Sequence, residues 1–398
     1  MLLRNSTHLS YCSNIHAGTN WEVTLEELKE NVPKIKASFS ANTSFGIGLR
    51  LSNRASEELG QSKELNDFKN WLTTNGLYVY TLNGFPYGNF HDEKVKDNVH
   101  TPDWTTRERV EYTLRLFKQL DVLLPDGIEG GISTSPISYK HWYKEPSEIH
   151  KVLKNGAANM IGVALELYQI EQESGNHLHL DIEPEPDGLL ENTEEVISFF
   201  QDFLIPLGIQ AFGELGIPSQ KAEVLVKRYI AVCYDVCHFA LAYEEPEYTF
   251  IAFKNAGIKV GKIQISAALK VLWDQKNKEK IWEALESFNE PTYLHQVTQR
   301  VDGSVKTYAD LPEVLSKRKD FTELRAHFHV PIFLKQFGLL FSTQDHIVAT
   351  LEYLKKHPQL TKHLEVETYT WDVLPSELKS PIVDSIIREL NWVKSIME

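Results

Sequence analysis

The sequence predicts an α/β chain wound into a single (β/α)8 TIM barrel, and three observations predict it. Short runs rich in β-branched and aromatic residues alternate with longer amphipathic stretches, the pattern of repeated strand and helix crossovers. Eight such runs can be counted, and eight strands close into a barrel with no unpaired edge. The 398 residues also fall within the span of about 200 to over 400 that one barrel occupies.

The expected strands lie near residues 8–15, 45–51, 77–82, 128–133, 177–183, 229–235, 258–265 and 363–369. Between them stand amphipathic segments such as TLEELKENVPKIKASF, RERVEYTLRLFKQLDVLL and NTEEVISFFQDFLIPLGIQAF, the last opened by Asn192 or Thr193 with acids in its first turn. Two stretches exceed a minimal barrel. Residues 83–104 carry turn formers and the aromatics Phe85, Tyr87, Phe90 and Trp104; they read as a lid over the barrel mouth or as a satellite core under a long loop. Residues 266–342 read as an insertion between strands seven and eight, at the barrel mouth, with a helix near 276–288 and a hairpin turning at Asp302-Gly303.

Composition narrows the function. A hydrophobic content of 42% supports a large core, and 41 basic against 55 acidic residues give a net charge of −14, which repels phosphate backbones and anionic lipid. Nucleic-acid binding and direct membrane insertion are therefore not expected. No run of about 18 uninterrupted apolar residues occurs and the start of the chain lacks a signal-peptide core, so the protein reads as cytoplasmic. Cys12, Cys233 and Cys237 show no CxxC spacing and read as core thiols.

Chemistry concentrates where strands end. In HLHLDIEPEP, alternation puts Asp181, Glu183 and Glu185 on one side. A carboxylate facing the barrel interior must be paired or metal-bound, so Glu183 is a ligand or half of a salt bridge. Strand six ends in Asp235, with His238 three residues on; these read alternatively as a helix cap and a core histidine. Strand seven offers Gln264, and strand eight puts His363, Glu365 and Glu367 on one face. Glu183, Asp235, Gln264 and Glu367, each ending a consecutive strand, predict a site at the C-terminal rim for a divalent Mn, Mg, Fe or Zn ion. His16, Asn83, His295, Arg325, His327 and His329 are candidate substrate contacts, as is Glu185; Arg325, His327 and His329 would present cationic donors together.

The order of Glu183, Asp235 with His238, a polar residue on strand seven and Glu367 resembles the metal set of the xylose isomerase-like barrel superfamily, which includes sugar isomerases, ketose 3-epimerases and endonuclease IV-type barrels. More extensively, SYCSNIHAGTNW, TLNGFPYGNFHDEKVKDNVHTPDW, STSPISYK, DIEPEPDGLLENTEE, CYDVCHFAL, YLHQ, HFHVP and HLEVETYTWDVLP together resemble the EboE-type metabolite traffic proteins of eboulation gene clusters. That resemblance implies a protein working beside other Ebo-cluster proteins on a secondary metabolite. The likeness to ketose epimerases implies Glu183 and Glu367 as ligands and bases, with His238 orienting a substrate oxygen; Gln264 departs from it, standing where a His is expected. The expected activity is a metal-dependent isomerase or epimerase on a sugar, sugar phosphate or cyclitol. A metabolite-binding or traffic barrel without turnover is the alternative, and a metal-dependent hydrolase or an endonuclease IV-like barrel is a second.

Overall fold

The computed structural model describes residues 1–88, 96–370, 374 and 380–398. Eight strands make one parallel sheet: β1 (His8–Tyr11), β2 (Phe45–Arg50), β3 (Leu77–Asn83), β4 (Gly130–Thr134), β5 (Leu178–Ile182), β6 (Ile230–Asp235), β7 (Val260–Ile265) and β8 (His363–Val366). They run in the order β1-β8-β7-β6-β5-β4-β3-β2, and a parallel bridge from Cys12 to Gly48 brings β2 back to β1, so the barrel is nearly closed. β1 stops at Tyr11, where Ser13–Ile15 turns as a short 3-10 helix, and β8 stops at Val366, one residue before Glu367.

Helices form where the pattern changes to period 3.6 and a side chain satisfies the first free amides. Asn20 accepts from Val23 N to open Trp21–Phe39, Thr106 caps Arg107–Leu123, and Asn192 accepts from Glu195 N to open Thr193–Phe199. That last helix continues through a π-turn at Phe200–Leu204 into Ile205–Glu214. The run Thr193–Glu214 has a window of mean hydropathy 1.4, 33% of it buried, and by length and composition is able to cross a membrane. The count of uninterrupted apolar residues passed over it because Gln201 and Asp202 break the run. Gly208 in this run sits tightly on Ser219–Tyr229: a Cβ there would lie 2.1 Å from Val226 Cγ2.

The barrel is filled by polar side chains. Lys262 Nζ lies 2.8 Å from Glu365 Oε1 and 3.0 Å from Ser133 Oγ, and neither charged side chain has any exposed surface. Burial alone would lower the lysine; the Glu365 carboxylate outweighs it and holds the ammonium above its ordinary range. Glycines open the space: a Cβ on Gly48 would fall 1.6 Å from Glu365 Oε2, and one on Gly261 1.9 Å from Asp181 Oδ1. The outward residues of the same strands, Leu178, Leu180 and Ile182 on β5 among them, are buried in the apolar core beneath the helices.

Between β7 and β8 the chain builds an antiparallel sheet of six short strands, ordered Ser304–Tyr308, Val297–Val301, Glu323–Ala326, Leu269–Leu272, Leu340–Ser342 and Gln336–Phe337. The first two are joined at Asp302 (φ 49°) and Gly303 (φ 82°), the left-handed pair a tight hairpin requires. A helix, Lys278–Glu286, precedes them. Leu269, Val271, Val297, Leu324 and Phe328 of this insertion join the same apolar core as the barrel.

Removing only one partner of a buried ion pair strands the other charge. Lys262→Met should destabilise the protein by about 3–5 kcal/mol in urea unfolding, and a second change, Glu365→Leu, should recover much of that loss.

Candidate functional site

Glu183, Asp235 and Glu367 meet above the barrel core, at the C-terminal ends of β5, β6 and β8. One carboxylate oxygen of each lies within 4.8 Å of the others, and all three are buried. Each side chain is held. Asp235 Oδ1 accepts from Ser266 Oγ at 2.7 Å and from His238 N at 3.1 Å, while Glu367 Oε1 accepts from the side-chain amides of Asn14 and Asn83, both at 2.8 Å. Glu183 Oε2 and Asp235 Oδ2 are buried with no hydrogen-bond partner. Burial, then repulsion from Asp235, pushes Glu183 well above the ordinary carboxylate range; burial, then Glu183 and Asp235, does the same to Glu367. For Asp235 burial acts upward too, but His238, His329 and the Ser266 hydroxyl outweigh it and hold this acid below its ordinary value. Three carboxyl groups this close cannot all ionise without a cation.

A cavity of about 610 Å³, its mouth included, opens over the cluster. Its roof comes from the insertion. His329 Nδ1 donates to Glu367 O at 2.8 Å, so its Nε2 is a lone pair; that atom is buried without a partner, and His329, Asp235 and His238 also bring ligand-type atoms within 4.8 Å of one another. Burial lowers the His329 ring to about 4 and keeps it neutral. His238 Nδ1 donates to Pro184 O (3.0 Å), and His327 Nδ1 donates to Gln296 Oε1 (2.9 Å). The 3.1 Å contact between their Nε2 atoms is a hydrogen bond only when one ring carries a second proton, and burial lowers both rings, so the two Nε2 lone pairs face one another beside the carboxylates. Glu185 lines the same cavity, with Oε1 3.0 Å from His100 Nε2.

Of the residues singled out in the sequence, Glu183, Glu185, His238, Asn83, His327, His329 and Glu367 line this cavity, and Asp235 lies just beneath it. Four stand elsewhere. His16 bonds the Tyr11 hydroxyl at 3.0 Å and has its Nδ1 3.8 Å from Glu27. His295 spends both ring nitrogens on His327 O and Glu290 and stacks on Phe328 at 3.5 Å. Arg325 turns away from His327 and His329 to Glu323, Ala240 O and the Tyr243 ring, so the expected trio of donors is not assembled. Gln264 pairs in register with Asp235 and Glu365, but its Oε1 accepts from the Cys233 thiol at 2.9 Å and it is absent from the cavity lining.

Several lining residues escaped the sequence reading: Asn14, His100, Tyr293, Gln296 and Tyr369. Asn14 stands two positions before His16 at the end of the first expected strand, while His100, Tyr293, Gln296 and Tyr369 lie within the NVHTPDW, YLHQ and HLEVETYTW segments. Of the aromatics in 83–104, Phe85 lines the cavity, Trp104 is fully buried with its indole N–H on Thr134 Oγ1, Tyr87 packs on Tyr112, and Phe90 falls outside the described residues.

No protein-family model matches the chain, and no curated protein does. Among solved structures it is similar to a D-tagatose 3-epimerase-like protein, at 11% identity over 98% of this chain and 97% of that one, with a TM-score of 0.50. It is also similar to a xylose isomerase-like TIM barrel protein from Mycobacterium smegmatis in complex with magnesium (8%, 100% and 98%, TM-score 0.49) and to the IolI protein with a bound zinc atom (12%, 98% and 98%, TM-score 0.48). The fold is a (β/α)8 TIM barrel, shared with the D-tagatose 3-epimerase-like protein.

One acid beside the site sets a pH dependence. Glu389, on the helix Ile382–Met397, accepts from Thr368 Oγ1 at 2.9 Å and Ile332 N at 3.2 Å, tying the segments that follow Glu367 and His329. Burial raises its carboxyl from 4.5 to about 8, and the two bonds offset only part of that. A carboxyl that titrates higher folded than unfolded loses stability as pH climbs past its unfolded value, here from about 4.5 to about 8. Glu389→Gln should flatten that loss, raising Tm at pH 8 much more than at pH 4.5 in thermal melts.

Proposed function

We propose that this chain is a metal-dependent isomerase or epimerase acting on a polyhydroxylated carbonyl compound, a sugar, sugar phosphate or cyclitol. The observation that carries the reading is the convergence of Glu183, Asp235 and Glu367, buried, with two orphaned oxygens and the orphaned His329 Nε2 beside them. This donor set of carboxylate oxygens and one neutral imidazole fits a hard or borderline divalent ion of the Mn, Mg, Fe or Zn class. When bound, the ion supplies Lewis-acid stabilisation of negative charge on a substrate oxygen. The fold is one that a D-tagatose 3-epimerase-like protein also uses.

The chain's own residues do the proton work in this reading. Burial raises both glutamates above the ordinary carboxylate range, which makes each, when ionised, a stronger base than a solvated carboxylate: one removes a proton from the carbon beside the carbonyl and the other delivers one from the far face. Asn14 and Asn83 fix the Glu367 carboxyl through its Oε1. Burial lowers both His238 and His327, so their Nε2 lone pairs accept from a substrate hydroxyl, and Glu185 orients another. The described parts of 83–104, through Phe85 and His100, and the HFHVP segment wall the cavity and exclude water from the reacting carbon.

A second reading, a cytoplasmic metabolite-traffic barrel acting with other Ebo-cluster proteins and without turnover, is favoured by Gln264, whose amide oxygen is taken up by Cys233 where the epimerase pattern has a His. A nuclease reading has no such observation behind it, and the net charge of −14 opposes it. Incubating the metal-loaded protein in deuterated water with ketoses, sugar phosphates and cyclitol ketones separates the first two. Deuterium should enter the carbon beside the carbonyl, and the rate should fall by about 10²–10⁴-fold in Glu183→Gln and Glu367→Gln. Tight binding of a polyol ketone with no exchange would establish the traffic reading instead.

A further inference from the structure

The opposite, N-terminal end of the barrel holds a second cluster of ligand-type groups. Glu129, immediately before β4, His179 on β5 and His363 on β8 each bring one ligand atom within 4.8 Å of the others. The two rings have their tautomers fixed by what they already bond. His363 Nε2 donates to the carbonyl of Glu129 at 3.0 Å, so Nδ1 is a lone pair, and that atom is fully buried with no partner. His179 Nδ1 donates to Asp181 Oδ1 at 2.6 Å, so Nε2 is the nitrogen left for a ligand bond. A carboxylate behind one imidazole and a carbonyl behind the other is the outer-shell arrangement that orients histidines for a metal.

The surroundings keep this space open. A Cβ on Gly131 would lie 2.4 Å from His179 Cε1, and one on Gly261 2.7 Å from His179 Nδ1, so two glycines cradle the ring. The His179 and His363 rings face one another at 5.3 Å although β5 and β8 are not neighbours in the sheet. Glu129, with 38% of its side chain exposed, reaches in from solvent; one oxygen lies 3.3 Å from His177 Nδ1, which leaves the other clear of that contact. Two imidazoles and one carboxylate, once an ion displaces the proton that Asp181 favours on His179, form the ligand chemistry of a zinc-class ion with water at the fourth position.

We propose that Glu129, His179 and His363 bind a zinc-class divalent ion that straps β4, β5 and β8 together across the N-terminal end of the barrel, independently of the rim cluster. Bonds of about 2.0–2.1 Å set tetrahedral ligand atoms roughly 3.3 Å apart, so the exposed Glu129 side chain closes inward on binding. At this end of a barrel the expected role is stability rather than catalysis.

Zinc titration of the untagged full chain against a competing chromophoric chelator, with elemental analysis, tests the proposal in four proteins: wild type, Glu129→Gln, Glu367→Gln and the double variant. Glu129 lies at the surface, so its replacement leaves the fold intact, which circular dichroism checks. Glu129→Gln should lower the stoichiometry by one ion or weaken one site at least tenfold. Glu367→Gln should retain that ion, and zinc should raise its Tm but not that of the double variant. An ion lost in Glu129→Gln but unaffected by Glu367→Gln supports this site even if the rim binds nothing. Zinc binding that is the same with and without Glu129, or absent from the wild type, overturns it.

Discussion

A lysine with no exposed surface at the centre of a barrel is the constraint around which this molecule is arranged. The ammonium of Lys262 can stay charged there only because Glu365 lies at 2.8 Å and the Ser133 hydroxyl at 3.0 Å. Side chains of this size need room across the barrel, and the room comes from residues with no Cβ: Gly48 faces Glu365, while Gly131 and Gly261 face Asp181 and His179. The same Gly48 makes the bridge to Cys12 that closes the seam, where a Cβ would also sit 2.9 Å from Tyr11 O. Barrel closure and the buried ion pair thus depend on one position.

The charge balance of that interior explains the rim. Asp181, Glu183, Asp235, Glu365 and Glu367 are all buried in or directly above the barrel, against one lysine. Glu365 takes the lysine and Asp181 takes His179, which leaves the three rim acids with histidines and amides as their nearest compensation. Burial therefore drives Glu183 and Glu367 toward the neutral form while Asp235 stays ionised, a division that a cation would reverse. The orphaned oxygens and the instability of the charge distribution are two expressions of the same deficit of positive charge.

The fold was legible in the sequence because strand periodicity is a local property. All eight expected strands overlap observed ones, the hairpin at Asp302-Gly303 forms as its left-handed residues require, and Asn192 caps the helix it precedes. Glu183 and Glu367 were legible for a related reason, since alternation along an apolar strand turns a carboxylate into an anomaly that needs a partner. The histidines were not. His16, His295 and His329 look alike in sequence, yet Tyr11 claims the first and Glu290 with His327 O claims the second, while His329 keeps a bare nitrogen over the site. Arg325 and His327, two positions apart, were expected to act together, but the strand ends at Ala326 and the chain changes direction, so alternation no longer decides where the rings point. Tyr293 and Gln296 reach the cavity from loops and His100 from the short 3-10 helix Lys96–His100, where no periodicity marks them.

The roof and the floor of the cavity are one unit. His329 Nδ1 bonds the carbonyl of Glu367, Thr370 Oγ1 donates to the carbonyl of His329 at 2.8 Å, and Glu389 bonds both Thr368 and Ile332. His295, stacked on Phe328 and bonded to His327 O, fixes the other flank of HFHVP. A histidine that touches no cavity surface thereby determines where His327 and His329 stand. Because the segment after β8 also carries Glu367, this roof cannot lift without disturbing the acid beneath it. The wall made by Phe85, Val99 and His100 is tied to the same floor: Phe85 N donates to Asn83 Oδ1, whose amide donates to Glu367 Oε1, Val99 and Tyr369 both pack on Tyr293, and His100 Nε2 lies 3.0 Å from Glu185 Oε1. Wall, roof and floor thus converge on the Glu367 carboxylate and the Tyr293 ring, so displacing any one of them disturbs the acid around which the site is built.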